Sequence, residues 1–415
     1  MMAEPFRKST LPNGIRVLSE NVDSVRSLSL GIWVLAGSRH ETSQTNGIAH
    51  LIEHMVFKGT EKRNAFQIAH AIESLGGGIN AFTDKNLTCY YVRLMGEHME
   101  TGLDVLADLV AHPTLQPAEL EREKGVISEE IREVEDTPSE LIHDLFARNL
   151  FREHPLGLPV QGSVESVSAL QVDDLHRFRV QNYSADKMVV AAAGMIDHER
   201  LLDLVWQKLA DRPTGDGKEN TQTMAPLSAQ RFESHKTILQ SHIMIGRRIF
   251  ARNDPRRYSL AILNVVLSGG MSSRLFQNIR EKYGFVYAIF AFSELFLSQG
   301  MFGIYAGVDT AHLEEVAALI YEELRKLAEG RLSMEELQKV REQFKGGMIL
   351  SLEAMQARMN RMARMEIYEK QLLTIDQLLQ LIEAVSLEDI QDLARYLYDR
   401  DQFIETVLLP DEALL

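Results

Sequence analysis

The stretch Ile48-Ala-His-Leu-Ile-Glu-His-Met-Val-Phe-Lys-Gly59 returns, rewritten, as Tyr258-Ser-Leu-Ala-Ile-Leu-Asn-Val-Val-Leu-Ser-Gly269, at an offset of 210 residues. Both copies read as one helix, because apolar residues recur at Ile48, Leu51, Ile52, Met55 and Val56 with the 3.6-residue period. A second match, Leu115-x3-Glu119-Leu120 with Leu332-x3-Glu336-Leu337, follows at an offset of 217. Around the first copy, period-two apolar patterns predict strands at 14–20, 27–37, 79–83, 87–95 and 187–195. Helical patterns cover 65–75, 97–111, 117–135, 138–151 and 198–210. The second half runs in a similar order: strand-like 237–250, helices 257–267 and 272–282, strands 286–293 and 300–308, helices 313–329, 334–368 and 388–397, and a strand at 403–408. Between the halves, Arg212 to Gln230 carries Pro213, Gly215, Gly217 and Pro226 with no apolar period, the texture of a linker. A repeat this long decides the fold class. The chain is read as α+β, two homologous domains of mostly antiparallel sheet packed with helices: 1–212, a linker at 213–230, and 231–415.

Composition bounds the function. Across 415 residues, 45% are apolar and 25% charged, so disordered and fibrous classes are excluded. No apolar run approaches the roughly 20 residues of a membrane span, so no membrane partner is expected. Met1 to Asn13 has neither an apolar core nor an Arg/Ser-rich bias, and a cytoplasmic location is expected. The single cysteine, Cys89, excludes an internal disulfide and any Cys-rich zinc site. With 59 acids against 44 bases the formal charge is −15, and nucleic acid is not an expected partner, since phosphate binding needs a basic footprint.

The first helix reads His50-Leu51-Ile52-Glu53-His54. At about 100° per residue, all three polar side chains fall within roughly 100° of arc. Imidazoles at i and i+4 can reach one ion, and a glutamate between them can take a proton from water at that ion. This is the zincin helix written backwards, H-x-x-E-H. An unpartnered carboxylate on so apolar a helix is costly, and a cation offsets that cost. The second copy has Leu260, Leu263 and Asn264 at these places, so the fold does not need the three polar residues. A catalytic zinc takes three protein ligands, and the long acidic helix offers Glu119, Glu121, Glu123, Glu129, Glu130, Glu133 and Glu135. Spacing alone does not choose among them.

Gly47-x2-His50-x2-Glu53-His54-Met55-x-Phe57-Lys58-Gly59-Thr60 resembles the pitrilysin-type zinc metallopeptidases, specifically the mitochondrial processing peptidase subgroup and its small bacterial relatives. The resemblance covers nearly the whole chain. It implies that Glu130, about 76 positions after His54 and followed by Ile131, is the third ligand; the second repeat has Gly347 there. It implies that Glu123, seven residues earlier, orients a ligand histidine. Gly76-Gly77-Gly78-Ile79-Asn80-Ala81-Phe82-Thr83 matches the family's edge strand beside the zinc, where a peptide adds as an extra strand with Asn80, Ala81 and Phe82 at contact positions. Arg280-x6-Tyr287 matches an arginine–tyrosine pair that reaches the substrate from the second half.

The family then implies a clam-like chamber and a zinc-dependent endopeptidase that cuts extended peptides or presequence-like segments. One Zn2+ per chain would be held by His50, His54 and Glu130, a zinc-activated water would be the nucleophile, and Glu53 the catalytic base. The resemblance also implies a dimer, and a homodimer is expected, since every catalytic part lies in one chain. The competing reading is a non-catalytic structural or peptide-binding subunit of the same fold, such as the core subunits of the respiratory bc1 complex; the complete motif weighs against it. A purely structural zinc site would leave Glu53 without a role. Gly269-Gly270-Met271 is too short for the glycine-rich loop of the family's silent processing subunit. Met348, Met355, Met359, Met362 and Met365 read as core or interface filler. His40 lies near the motif in sequence, while His98, His112, His143 and His154 lack ligand spacing.

Overall fold

Val- and Ala-rich runs become sheet interiors: the strand Met188–Gly194 is buried at every position. The computed structural model describes residues 6–215 and 224–411. Within them the first sheet contains β1 (Phe6–Thr10), β2 (Arg16–Asn21), β3 (Ser27–Val34), β4 (Gly78–Thr83), β5 (Thr88–Met95) and β6 (Met188–Gly194), in the order β1-β2-β6-β3-β5-β4. The second contains β7 (Gln230–Lys236), β8 (Ser241–Ile249), β9 (Val286–Leu295), β10 (Gly300–Val308) and β11 (Ile404–Pro410), in the order β7-β11-β8-β10-β9. Setting aside β1, the two orders are the same. Each sheet has one parallel pair, β2 with β6 and β7 with β11, and is otherwise antiparallel. The fold is thus mixed α+β, and the duplication read in the sequence is a duplication of topology.

Several elements lie outside the sequence reading. Phe6–Thr10 and Gln230–Lys236 are polar strands at sheet edges, where one side faces solvent and the apolar alternation is weak. Gln230 opens β7 at what the sequence reads as the end of the linker, while 216–223 of that stretch lie outside the described residues. Helices Val164–Ala169, Val172–Asn182 and Ile375–Glu383 carry few buried positions. The single helix expected over 334–368 is broken: Met334–Ser351 ends, Met355–Arg364 begins, and Met365–Glu369 widens into a π turn.

The compact units in space do not follow the boundaries 1–212, 213–230 and 231–415. The first unit holds the described residues through Arg132, those from Leu158 to 215, and Ser351–Leu372; the second holds Glu133–Gly157, 224 to Leu350, and Leu373 to 411. The two segments that change sides are equivalent in the repeat, since the helices Pro138–Phe151 and Met355–Arg364 begin 217 residues apart. The reason is packing. In the second unit, Ile142, Phe146, Leu150 and Phe151 are buried against Met244, Met301, Tyr305 and Ile404. In the first, Met355–Arg364 lies on β2, β3 and β6 and buries Met359 and Met362, so the methionines there fill core, as expected. Ion pairs add to this: Arg358 with Glu20 at 2.5 Å and Lys8 with the buried Glu366 at 2.6 Å. No helix of the described residues is long and apolar enough to cross a membrane.

Candidate metal centre

The helix Ile48–Val56 has two faces. Ile48, Ala49, Leu51, Ile52, Met55 and Val56 are buried in the first core, and His50, Glu53 and His54 stand half-buried on the other side. Its start is built around Gly47, whose φ of 91° is left-handed and where a Cβ would come within 2.5 Å of the Gln161 carbonyl. The buried Glu41 carboxylate caps this end, accepting from Gly47 N at 2.8 Å, Ala49 N at 2.9 Å and Asn46 Nδ2 at 2.9 Å. Sequence reading missed Glu41, which lies six residues before Gly47 with no motif to mark it.

Burial pushes the Glu41 carboxyl up to about 7, against its three hydrogen bonds and the Lys85 charge. Glu41→Ala leaves the buried Gly47 and Ala49 N–H groups unpaired, while Asn46 Nδ2 keeps the Pro159 carbonyl; at about 1–3 kcal/mol for each unpaired donor, a loss of about 2 kcal/mol or more is expected on urea unfolding of the metal-free chain. A loss under about 1 kcal/mol would remove the cap from this account. The folded carboxyl titrates near 7 and the unfolded one near 4.5. Between those values the folded chain holds the extra proton, so this group makes stability fall as pH rises from about 4.5 to about 7. Glu41→Gln should flatten that part of the stability profile.

His50, His54 and Glu130 each offer one ligand atom, and these atoms lie within 4.8 Å of one another; among the described residues this is the one such group of three. Their ring and carboxylate positions are close: the imidazole centroids are 4.7 Å apart, and His54 Nε2 lies 3.8 Å from Glu130 Oε2. Glu123 is buried and accepts from His54 Nδ1 at 3.1 Å. A carboxylate only accepts, so Nδ1 donates to Glu123, and Nε2 is the ring atom that faces Glu130. Glu123 also pairs with Lys58 Nζ at 2.8 Å, a neighbour the sequence reading did not single out. Burial, with a smaller contribution from His54, pushes the His50 imidazole down to about 4, so it is neutral at pH 7, as a metal ligand must be. His50 Nδ1 is buried with no hydrogen-bond partner. Two imidazoles and one carboxylate form a donor set that suits zinc.

Glu53 lies on the same helix face. Burial raises its pKa, Glu130 adds to that, and a hydrogen bond from Thr83 with the nearby His54 opposes it. Thr83 Oγ1 donates to Glu53 Oε2 at 2.6 Å. Thr83 ends β4, the outer strand of its sheet, which pairs on one side with β5. On β4, Asn80 is exposed and accepts from Ala81 N at 2.8 Å, and half-buried Phe82 lies 6.3 Å from Tyr91 ring to ring. Arg280 sits on the helical segment Phe276–Glu281 of the second unit, its guanidinium 4.9 Å from the Phe276 ring. Tyr287 stands exposed on β9, the outer strand of the second sheet. Leu260 and Leu263, the second-repeat counterparts of His50 and Glu53, are buried in the core, and Asn264 donates to Ser293 Oγ at 2.8 Å. His40 hydrogen-bonds its own turn at Gly37, and His143 packs 5.1 Å from Phe292 in the second unit.

The family described as "Insulinase (Peptidase family M16)" matches residues 16–163, and "Peptidase M16 inactive domain" matches residues 169–344. The chain belongs to the M16 peptidase family. An uncharacterized zinc protease of Streptomyces coelicolor is 38% identical over 94% of this chain and 86% of its own length. The zinc protease YmxG of Bacillus subtilis, also uncharacterized, is 36% identical over 95% of this chain and 96% of its own. In fold, the chain is similar to the crystal structure of a protease from Helicobacter pylori, with TM-score 0.91, 22% identity and coverage of 98% and 99% of the two chains. A peptidase M16 inactive domain from Pseudomonas fluorescens is similar with TM-score 0.90 at 19% identity, covering 98% of each.

Proposed function

We propose that the chain is a zinc-dependent endopeptidase acting on extended peptides or presequence-like segments. The observation that carries this reading is the convergence of His50, His54 and Glu130 beside a half-buried Glu53 that is held by the last residue of an outer strand. His50, His54 and Glu130 would hold zinc, which supplies Lewis acidity toward a carbonyl oxygen and acidifies water beside it. Glu123 fixes the tautomer of His54. Glu53 accepts the proton of the attacking water and returns it to the leaving amine. The free side of β4 offers main-chain hydrogen bonds to an incoming peptide, with Asn80, Ala81 and Phe82 along the register.

From the second unit, Arg280 would donate to substrate carbonyls and Tyr287 to backbone or to developing negative charge. Arg280→Ala and Tyr287→Phe are expected to lower kcat/KM by about tenfold or more with zinc content unchanged; equal kcat/KM in both would take them out of the reading. By resemblance the working form is a homodimer, which light scattering of the purified chain tests directly. The main experiment is cleavage of a quenched peptide library by the purified chain alone, with and without a chelator and with zinc restored. Chelator-sensitive cleavage supports the proposal. No cleavage by the zinc-loaded chain overturns it and favours a peptide-holding role, which needs no general base.

A further inference from the structure

We propose that Thr83 is a positioning residue that fixes the orientation of Glu53 and ties it to the peptide-binding strand. The inference rests on the peptidase reading above and deepens it. Glu53 projects from a helix and Thr83 from the end of β4, thirty residues apart in sequence, so their contact ties two separate elements together. The contact is a short O–H···O bond, Thr83 Oγ1 to Glu53 Oε2 at 2.6 Å, in the range of charge-assisted bonds.

The hydrogens can be assigned. Thr83 Oγ1 is also 3.2 Å from Thr88 Oγ1, but Thr88 gives its hydrogen to the Ala36 carbonyl at 2.8 Å. A carboxylate only accepts, so the single hydrogen of Thr83 is left for Glu53. One carboxylate oxygen is thereby committed to the strand, and the other remains for the reacting water. Thr88 is buried on β5, directly opposite Thr83 in the ladder, so the anchor is backed by the sheet interior rather than by solvent.

Two consequences follow from this placement. First, the base is oriented by a residue outside the group His50, His54 and Glu130. Second, Thr83 is part of the strand to which a peptide would add, so ordering of β4 by substrate also orders the base. A base held loosely loses rate, because misplacement by about 1 Å costs on the order of a hundredfold. A valine in this place keeps the β-branched shape and removes the hydroxyl; a serine keeps the hydroxyl.

The test uses the full-length zinc-loaded chain. Thr83→Val should lower kcat by roughly thirtyfold to a few hundredfold, with KM within threefold of wild type and one zinc per chain by elemental analysis. Thr83→Ser should return kcat to within about fivefold. In a Glu53→Gln background, where turnover is lost, adding Thr83→Val should leave peptide affinity within threefold by calorimetry. Unchanged kcat in Thr83→Val, no rescue by Ser, or a peptide affinity that falls as far as kcat does would each overturn the positioning role. If the wild-type chain cleaves no peptide, the peptidase reading itself falls. If wild type cleaves and Thr83→Val cleaves equally, only the role of Thr83 falls.

Discussion

Glu53→Gln is expected to keep zinc and lose turnover, with kcat falling by about a hundredfold to ten-thousandfold, the range of general acid–base catalysis. The amide is nearly isosteric with the carboxylate, and its oxygen can still accept from Thr83, so the local geometry should persist. What it lacks is a lone pair basic enough to take a proton from water. The metal group His50, His54 and Glu130 does not include Glu53, so zinc stoichiometry should remain at one per chain. Steady-state kinetics and elemental analysis on the same preparation check both halves. Activity within tenfold of wild type would remove Glu53 as the base, and loss of zinc would make it a ligand instead.

The second large effect is on the metal. Glu130→Gln replaces an anionic oxygen 3.8 Å from His54 Nε2 with a neutral one, a poorer partner for a divalent cation. Zinc affinity, measured by competition with a chromogenic chelator, should fall by more than about a hundredfold. Glu123→Gln should cost less, about tenfold to a hundredfold, because Glu123 orients His54 rather than facing the ion group. If Glu123→Gln weakened zinc more than Glu130→Gln, the two glutamates would have to exchange roles. Equal retention of zinc by Glu130→Gln and wild type after dialysis against chelator would remove Glu130 from the ligand set.

Legibility of the site followed the distance over which geometry is local. His50, Glu53 and His54 share one helix face because the period of an α-helix is the same wherever it forms, so three letters of sequence were enough. Glu130 was different. Seven glutamates on Pro117–Asp136 were equal by spacing, and only resemblance to a family picked one before the fold was known. The chain itself separates them by packing: Ile127 and Ile131 are buried and turn the helix so that Glu123 and Glu130 face His54. Glu41 had no such signal, and Thr83 and Lys58 stood in the matching stretches with no role attached to them. Their partners come from other elements, and a hydroxyl or carboxylate in a loop or strand end looks the same in sequence whether or not it meets one.

The sequence by itself determined that the chain is a duplicated α+β unit, that the first copy carries His50, Glu53 and His54 on one helix face with metal-ligand spacing, and that the second copy replaces them with Leu260, Leu263 and Asn264. Repetition and helical period are properties of the chain read in order, and need no third dimension. Only the tertiary structure decided which segment belongs to which unit. The helices Pro138–Phe151 and Met355–Arg364 each bury an apolar stripe, against Met244, Tyr305 and Ile404 for the first and against β2, β3 and β6, with an ion pair to Glu20, for the second. Burial of a stripe is non-directional. The partner it finds depends on surfaces assembled from residues far away in the chain, and that information exists only once the chain has folded.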